Sequence, residues 1–387
     1  MKGFSLVELL VAMFITLLVS AAALPLLGPA HDAFQVQPES ADLQQRVRVG
    51  TEALLRDLLM AGAGPYLAGS TGPLHRSLAS VLPYRALASS PAGGGSIRTD
   101  TVTLLYVPST PAQTALAQAA TAGALEITLE PSASCPASSL SRFCGIEADD
   151  QVLIFDRNGG WGVFEVDLVD GLTGRLQLKD DAPPLAFEMG SSVAEVEAVT
   201  YFLRPDPQSG ASQLVRAKGR GPAQPVVDHV VGFEFQYFGD PQPPRILEGA
   251  LESTSDDRST YGPLPPELTE TLAGWPAGEN CVFTRVEGHP EPRLAEFGAS
   301  TLVEMSAALV SDGPWCPDAG APNRFDADLL RIRRVRFTLR VQAALPGLRG
   351  PAGALFTIGG SARSGGRYVP DVQVQFDVTP RNLNVSR

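Results

Sequence analysis

Residues 4–24 form an apolar run, FSLVELLVAMFITLLVSAAAL, in which Glu8 is the only ionisable side chain. Nothing else in the chain restricts its fold as much. Twenty-one helical residues rise about 31 Å, close to the thickness of a bilayer's hydrocarbon core. A secretory signal is the first alternative, but its apolar core usually spans about 7–15 residues before a small-residue cleavage site. Ser20-Ala21-Ala22-Ala23 has the composition of such a site, yet the run is too long for it, which favours a retained anchor. A carboxylate within a membrane helix costs about 2.5–3.5 kcal/mol on insertion scales. Glu8 therefore needs a partner, a role, or a place at the membrane face.

Lys2-Gly3-Phe4-Ser5-Leu6-Val7-Glu8, followed by the apolar stretch, resembles the leader and cleavage site of type IV prepilins and of type II secretion pseudopilins. The resemblance implies that a prepilin peptidase cuts between Gly3 and Phe4 on the cytoplasmic side and methylates the new amino terminus of Phe4. It implies that Glu8 becomes the fifth residue of the mature chain and acts in assembly. Pro25 falls where many pilins have a helix-kinking proline. The physics fits. The amine of one subunit and the carboxylate of a neighbour are each costly in lipid, and each supplies the other's missing partner. The pair would set the stagger of neighbouring helices.

After the anchor, Gly28-Pro29 and Pro38 punctuate the chain, and residues 34–37 read as an extended break. Pro38-Glu39-Ser40-Ala41-Asp42 reads as a helix start, with acids where the helix dipole favours them. Leu43, Val47, Leu54 and Leu58 recur at helical spacings, with Arg46, Arg48, Glu52, Arg56 and Asp57 mostly on the other face. Gly62 and Gly64-Pro65 should end this amphipathic helix. The segment also resembles the second helical part of PilW-like minor pilins.

Past Pro65 the pattern becomes alternating. Residues 66–100 read as loop. Strands are expected at 101–107, 125–129, 151–155, 162–168, 175–178, 193–203, 213–216, 230–238, 334–342 and 368–378. No helices recur between them, so the head is expected to be β-rich and largely antiparallel. Residues 240–325 read as a Pro-rich insertion, mostly loop, with a short helix at 267–273 and a helical or extended piece at 299–309. The whole is an α+β, pilin-like fold: a leader (1–3), a transmembrane and assembly helix (4–25), a linker and amphipathic helix (26–64), and two β-rich lobes (65–205 and 206–387). The last strands again resemble those of PilW-like minor pilins and J-type pseudopilins.

Four cysteines, Cys135, Cys144, Cys281 and Cys316, allow three pairings. An extracytoplasmic head permits disulfides, and the local pairs Cys135–Cys144 and Cys281–Cys316 close the shortest loops. Short Cys-x-x-Cys or Cys/His spacings for zinc are missing from the sequence, as are the nucleophile elbow, the Walker loop and His-Glu-x-x-His. Acidic groups at Asp149-Asp150, Asp180-Asp181 and Asp256-Asp257 lack a calcium loop's spacing and read as solvated turns. No catalytic residue, metal or cofactor is therefore expected. Arg334, Arg336 and Arg340 share one strand face, but a net charge of −12 argues against nucleic acid. Pairing with Asp371 and Asp377 is the expected use of that stripe.

The resemblance implies a minor, low-copy subunit of a type IV pilus, with the tip as one possible place for so bulky a head. It would be anchored in the inner membrane by one span with its head outside the cytoplasm. Its partners would be the prepilin peptidase, other pilins and the inner-membrane assembly platform. The alternatives are a type II secretion pseudopilin in a periplasmic pseudopilus, or a tip adhesin or DNA receptor.

Overall fold

The structure, a computed structural model, describes residues 5–64, 74–76, 78–85, 98–108, 113–132, 135, 143, 145–156, 159–179, 186–246, 259–272, 274–363 and 367–384. Helix side chains 24–33 lie outside the described residues, and the kink expected at Pro25 lies there too. So do Gly3, Phe4 and Cys144.

One helix, α1 (Leu6–Met60), runs for 55 residues. The break expected at 34–37 and the fresh start at Pro38 do not occur. An interior proline costs roughly 3 kcal/mol. Continuous helical phase in return keeps Leu43, Val47, Leu54 and Leu58 on one buried line against the head. Each fully buried leucine contributes about 1.5–3 kcal/mol. Gly50 lets the helix approach closely: a Cβ there would lie 2.5 Å from Val227 Cγ2 and 3.0 Å from Leu339 Cδ2. The helix ends as expected at Gly62, whose left-handed φ of 78° suits glycine. Its N–H donates to Leu105 O, which passes the chain into the sheet.

The head begins with β1 (Val81–Pro83), inside the region expected to be loop, and β2 (Val102–Tyr106). The chain then leaves this sheet for β3 (Gln113–Ala115), β4 (Glu126–Thr128), β5 (Gln151–Phe155), β6 (Trp161–Asp170), β7 (Arg175–Leu178) and β8 (Ser192–Glu195). These pair in the order β3-β8-β5-β6-β7-β4. The two ends then meet: Leu116 bridges Leu129, Ala117 N–H donates to Thr128 O, and Glu130 N–H donates to Ala115 O. The result is a closed six-stranded barrel with its own core, including Leu116, Ile127, Val152, Ile154, Phe164, Leu176 and Phe187.

The chain returns through β9 (Glu197–Pro205), which pairs with β2, then β10 (Ser212–Lys218) and β11 (Gln224–Gly239). β11 has 16 residues; its first part pairs with β10 and its second with β17 (Ile332–Val341). Between these two strands lie the hairpin β12 (Phe283–Val286) and β13 (His289–Pro292), then β14 (Val303–Glu304) on β11, and the short pair β15 (Trp315–Cys316) and β16 (Phe325–Asp326). The last strand is β18 (Val372–Val378). The main sheet runs β1-β2-β9-β10-β11-β17-β18, and its strand pairs are antiparallel. α1 packs on β2, β11, β17 and β18.

Three expectations need correction. The lobes do not part near residue 206, because β9 and β10 form a hairpin across that point. The second unit is instead the barrel, inserted between the paired strands β2 and β9 and held by pairings internal to it. The strand expected over 193–203 is two strands, β8 in the barrel and β9 in the main sheet. In the 240–325 insertion, residues 267–272 form turns rather than a helix, and 299–309 contributes only the two residues of β14 to a strand.

Candidate assembly site

Residues Leu6–Ala23 have a mean hydropathy of 2.4, and none is buried against the head. A lone subunit in water would leave this surface bare, so lipid or neighbouring helices must cover it. At its start, Ser5 caps the helix: Ser5 Oγ accepts from Val7 N–H at 3.2 Å, and Glu8 Oε2 accepts from Ser5 N–H at 2.9 Å. This capping box satisfies amide groups that the first turn leaves orphaned. The capping box, not foreseen above, has its signal in Ser5-Leu6-Val7-Glu8: a serine, then a glutamate three residues on, before an apolar run. Among the described residues, Glu8 thus holds one hydrogen bond, to Ser5 N–H.

At the other end of α1 the sequence placed Asp57 on the solvated face, and the structure buries it at 2% exposure. Asp57 lies three residues after Leu54 and beside Leu58, so helical phase points it into the head. Tyr201 donates its O–H to Asp57 Oδ2 at 2.7 Å, and Arg216 Nε donates to the same oxygen at 2.8 Å. Tyr106 O–H lies 3.0 Å from Asp57 Oδ1 and 3.0 Å from Glu197 Oε2. Burial first, and then the charge on Asp57, push both phenols well above the ordinary tyrosine range. These partners come from β2, β9 and β10, so the cluster fastens the helix to three strands at once.

Cys281 and Cys316 are joined, tying the start of β12 to β15. Cys135 is also disulfide-bonded. The basic stripe on β17 is committed internally. Arg336 pairs with Asp377 through two hydrogen bonds of 2.6 and 3.0 Å, and Arg340 Nη2 lies 3.0 Å from Asp371. Arg334 and Arg336 also stack on Phe238. Among the described residues, Asp312, Asp326 and Asp328 place carboxylate oxygens within 4.8 Å of one another. Arg331 Nε already lies 3.1 Å from Asp328, so the cluster has a cation of its own. Asp149, one of the acids read as a solvated turn, pairs with Lys179, while Asp180-Asp181 and Asp256-Asp257 lie outside the described residues.

Residues 1–24 match the family model described as the prokaryotic N-terminal methylation motif. Comparison with curated proteins gives no match. Among solved structures, the type IV-like pilin TTHA1219 from Thermus thermophilus is similar over 88% of this chain and 98% of that chain, at 13% identity and a TM-score of 0.25. A similarity that low carries no argument. The chain opens with the prokaryotic N-terminal methylation motif, and it joins an apolar N-terminal helix to a large, mainly antiparallel β-rich head.

Proposed function

We propose that this chain is a low-copy structural subunit of a type IV pilus. It is made as a prepilin, cut between Gly3 and Phe4 by prepilin peptidase, and methylated on Phe4. The observation that carries the reading is the continuity of α1. The methylation motif opens a helix whose first eighteen residues touch nothing in the head and whose last turns are locked into it. Such a helix holds the subunit in the inner membrane as a single span, with the head outside the cytoplasm. It then transfers the subunit, through the assembly platform, into the helical shaft formed by other pilins.

Glu8 supplies the register. Its carboxylate, already oriented by Ser5 N–H, receives the methylated amine of a neighbour's first residue. The head adds a barrel and a disulfide-bonded insertion to the main sheet, a bulk that would crowd a dense shaft and fits a low-copy or tip position. Pilins are structural rather than catalytic, and a chemical step is no part of this reading.

N-terminal sequencing and intact-mass analysis of the membrane-extracted protein provide the test. A mature chain beginning with N-methylphenylalanine is expected. Retention of residues 1–3, or loss of the whole apolar segment, would overturn the reading. Quantitative mass spectrometry of purified filaments should find far fewer copies than of the major subunit, and near-equal abundance would refute the low-copy role.

A further inference from the structure

The ends of the main sheet are finished differently. β1 is three residues long and ends in Pro83, the short, proline-marked form that blunts an edge. β18 is seven residues, VQVQFDV, with neither proline nor lysine, and only β17 pairs with it. Elsewhere the edges are closed or short. The barrel joins end to end, the β12–β13 hairpin has four-residue strands carrying Pro290 and Pro292, and the far side of β11 is taken by Thr99 and β14. Among the described residues, β18 is the long strand with a bare side.

The hydrogen-bond phase shows what that side offers. Gln342 N–H donates back to His229 O, beside the start of the β11–β17 ladder, so even-numbered residues of β17 turn their polar backbone groups towards β11. Odd-numbered residues of β17 therefore face β18. In the observed register they meet Val372, Val374, Phe376 and Val378. Gln373, Gln375 and Asp377 are left with N–H and C=O pointing away from the sheet, and all three are exposed. Asp371, next in the same phase, already turns its N–H outward to Leu355 O. Beside this row sits Phe376, stacked on Phe337 yet 37% exposed at the rim.

We propose that the outer edge of β18 receives an extended strand from the head of a different pilin-type subunit, not a second copy of this chain, continuing the main sheet across the subunit boundary. This row of outward amides and carbonyls, without partners among the described residues, is satisfied best by a strand, and Phe376 supplies an apolar anchor for one of its side chains. Charge does not oppose it: Asp377 and Asp371 are already paired with Arg336 and Arg340, and the two glutamines are neutral. The partner's class follows from position. β18 lies against α1, so a neighbour drawn in alongside α1 brings its own head to this edge. The inference rests on the pilin reading given above.

The test uses the full-length chain in its native membrane, with a photoreactive amino acid at position 375 and sequencing of the crosslinked peptide. An adduct with an extended segment of a second protein bearing its own N-terminal methylation signal is expected. Gln375→Pro removes an outward N–H without breaking the ladder to β17. With the photoreactive group moved to position 373, Gln375→Pro should lower the adduct about tenfold, while Gln375→Thr should leave it. The absence of an adduct, an adduct with a non-pilin, with a second copy of this chain or with its own loops, or indifference to Gln375→Pro would overturn the proposal. Methylated Phe4 at the N-terminus of the same samples would show that such a failure belongs to the β18 edge and leaves the pilin reading standing.

Discussion

Glu8 and Asp57 are carboxylates on one unbroken helix, and they sit in opposite environments. Asp57 is enclosed by two tyrosines and an arginine from three strands, so its charge is matched within the fold. Glu8 is exposed on a bare apolar surface and, among the described residues, has one backbone partner three residues away. A carboxylate completed by its own chain serves stability. A carboxylate left incomplete in a segment that must be covered is available to a second molecule. The difference separates the part of α1 that is built into the head from the part to which the proposed function gives assembly.

Breaking the finished end should have the largest effect. Asp57→Ala leaves the buried Tyr201 phenol and the half-buried Arg216 without this acceptor, with Glu197 still beside Tyr106 and Arg216, and should cost about 3 kcal/mol of head stability, read by urea unfolding of the detergent-solubilised protein. A loss below about 1 kcal/mol would mean that the cluster does not hold the helix. Glu8→Val should do the reverse. In the proposed filament it removes the carboxylate that a neighbour's amine would neutralise, while within the subunit it removes only the bond to Ser5 N–H. Membrane insertion and head unfolding should be unchanged, while incorporation into filaments falls at least about tenfold. Normal incorporation of Glu8→Val would remove the contrast between the two ends.

Two smaller effects sharpen the comparison by testing buried and exposed carboxylates within the head. Burial raises Asp326 to about 6 and Asp328 to about 7, the latter in spite of Arg331. Both folded values lie above the unfolded ones. The associated stability is therefore complete below about pH 4 and is lost as pH rises through about 6 to 7. Each group contributes on the order of 2 kcal/mol to that fall. Urea unfolding at pH 5 and pH 8 should show it, and Asp326→Asn should flatten the dependence. The surface pair Arg336–Asp377 stands at the other extreme. Arg336→Ala should leave the melting temperature within error, since an exposed pair gains little in water.

Much of the β-structure was legible in the sequence. Gln151–Phe155 and Arg175–Leu178 form strands at the residues that their composition marks out. In 233–237 the aromatics Phe233, Phe235 and Tyr237 face the core, as their alternation required. The pairing of Arg336 and Arg340 with Asp377 and Asp371 was foreseeable from charge alone. The barrel was not. Its closure depends on Leu116 meeting Leu129 and on β8 joining β3 and β5, contacts between distant residues that no local pattern encodes. The boundary drawn near residue 206 failed for the same reason, since the true division is a matter of which strands pair. Asp57 was misplaced because its neighbours on the helix are polar as well as apolar, and its partners arrive from residues 106, 201 and 216.

By itself the sequence determined the anchor, the methylation signal and the placing of one acid in an otherwise apolar helix. These are properties of adjacent residues, and adjacent residues suffice to set hydropathy and a cleavage motif. Only the tertiary structure decided that α1 is continuous through Pro38, that the inserted strands close into a barrel, and that β18 ends the sheet with no strand on its outer edge among the described residues. Each of those outcomes depends on burial and hydrogen bonding between segments far apart in the chain, where local propensity is outweighed by the contacts that folding brings together.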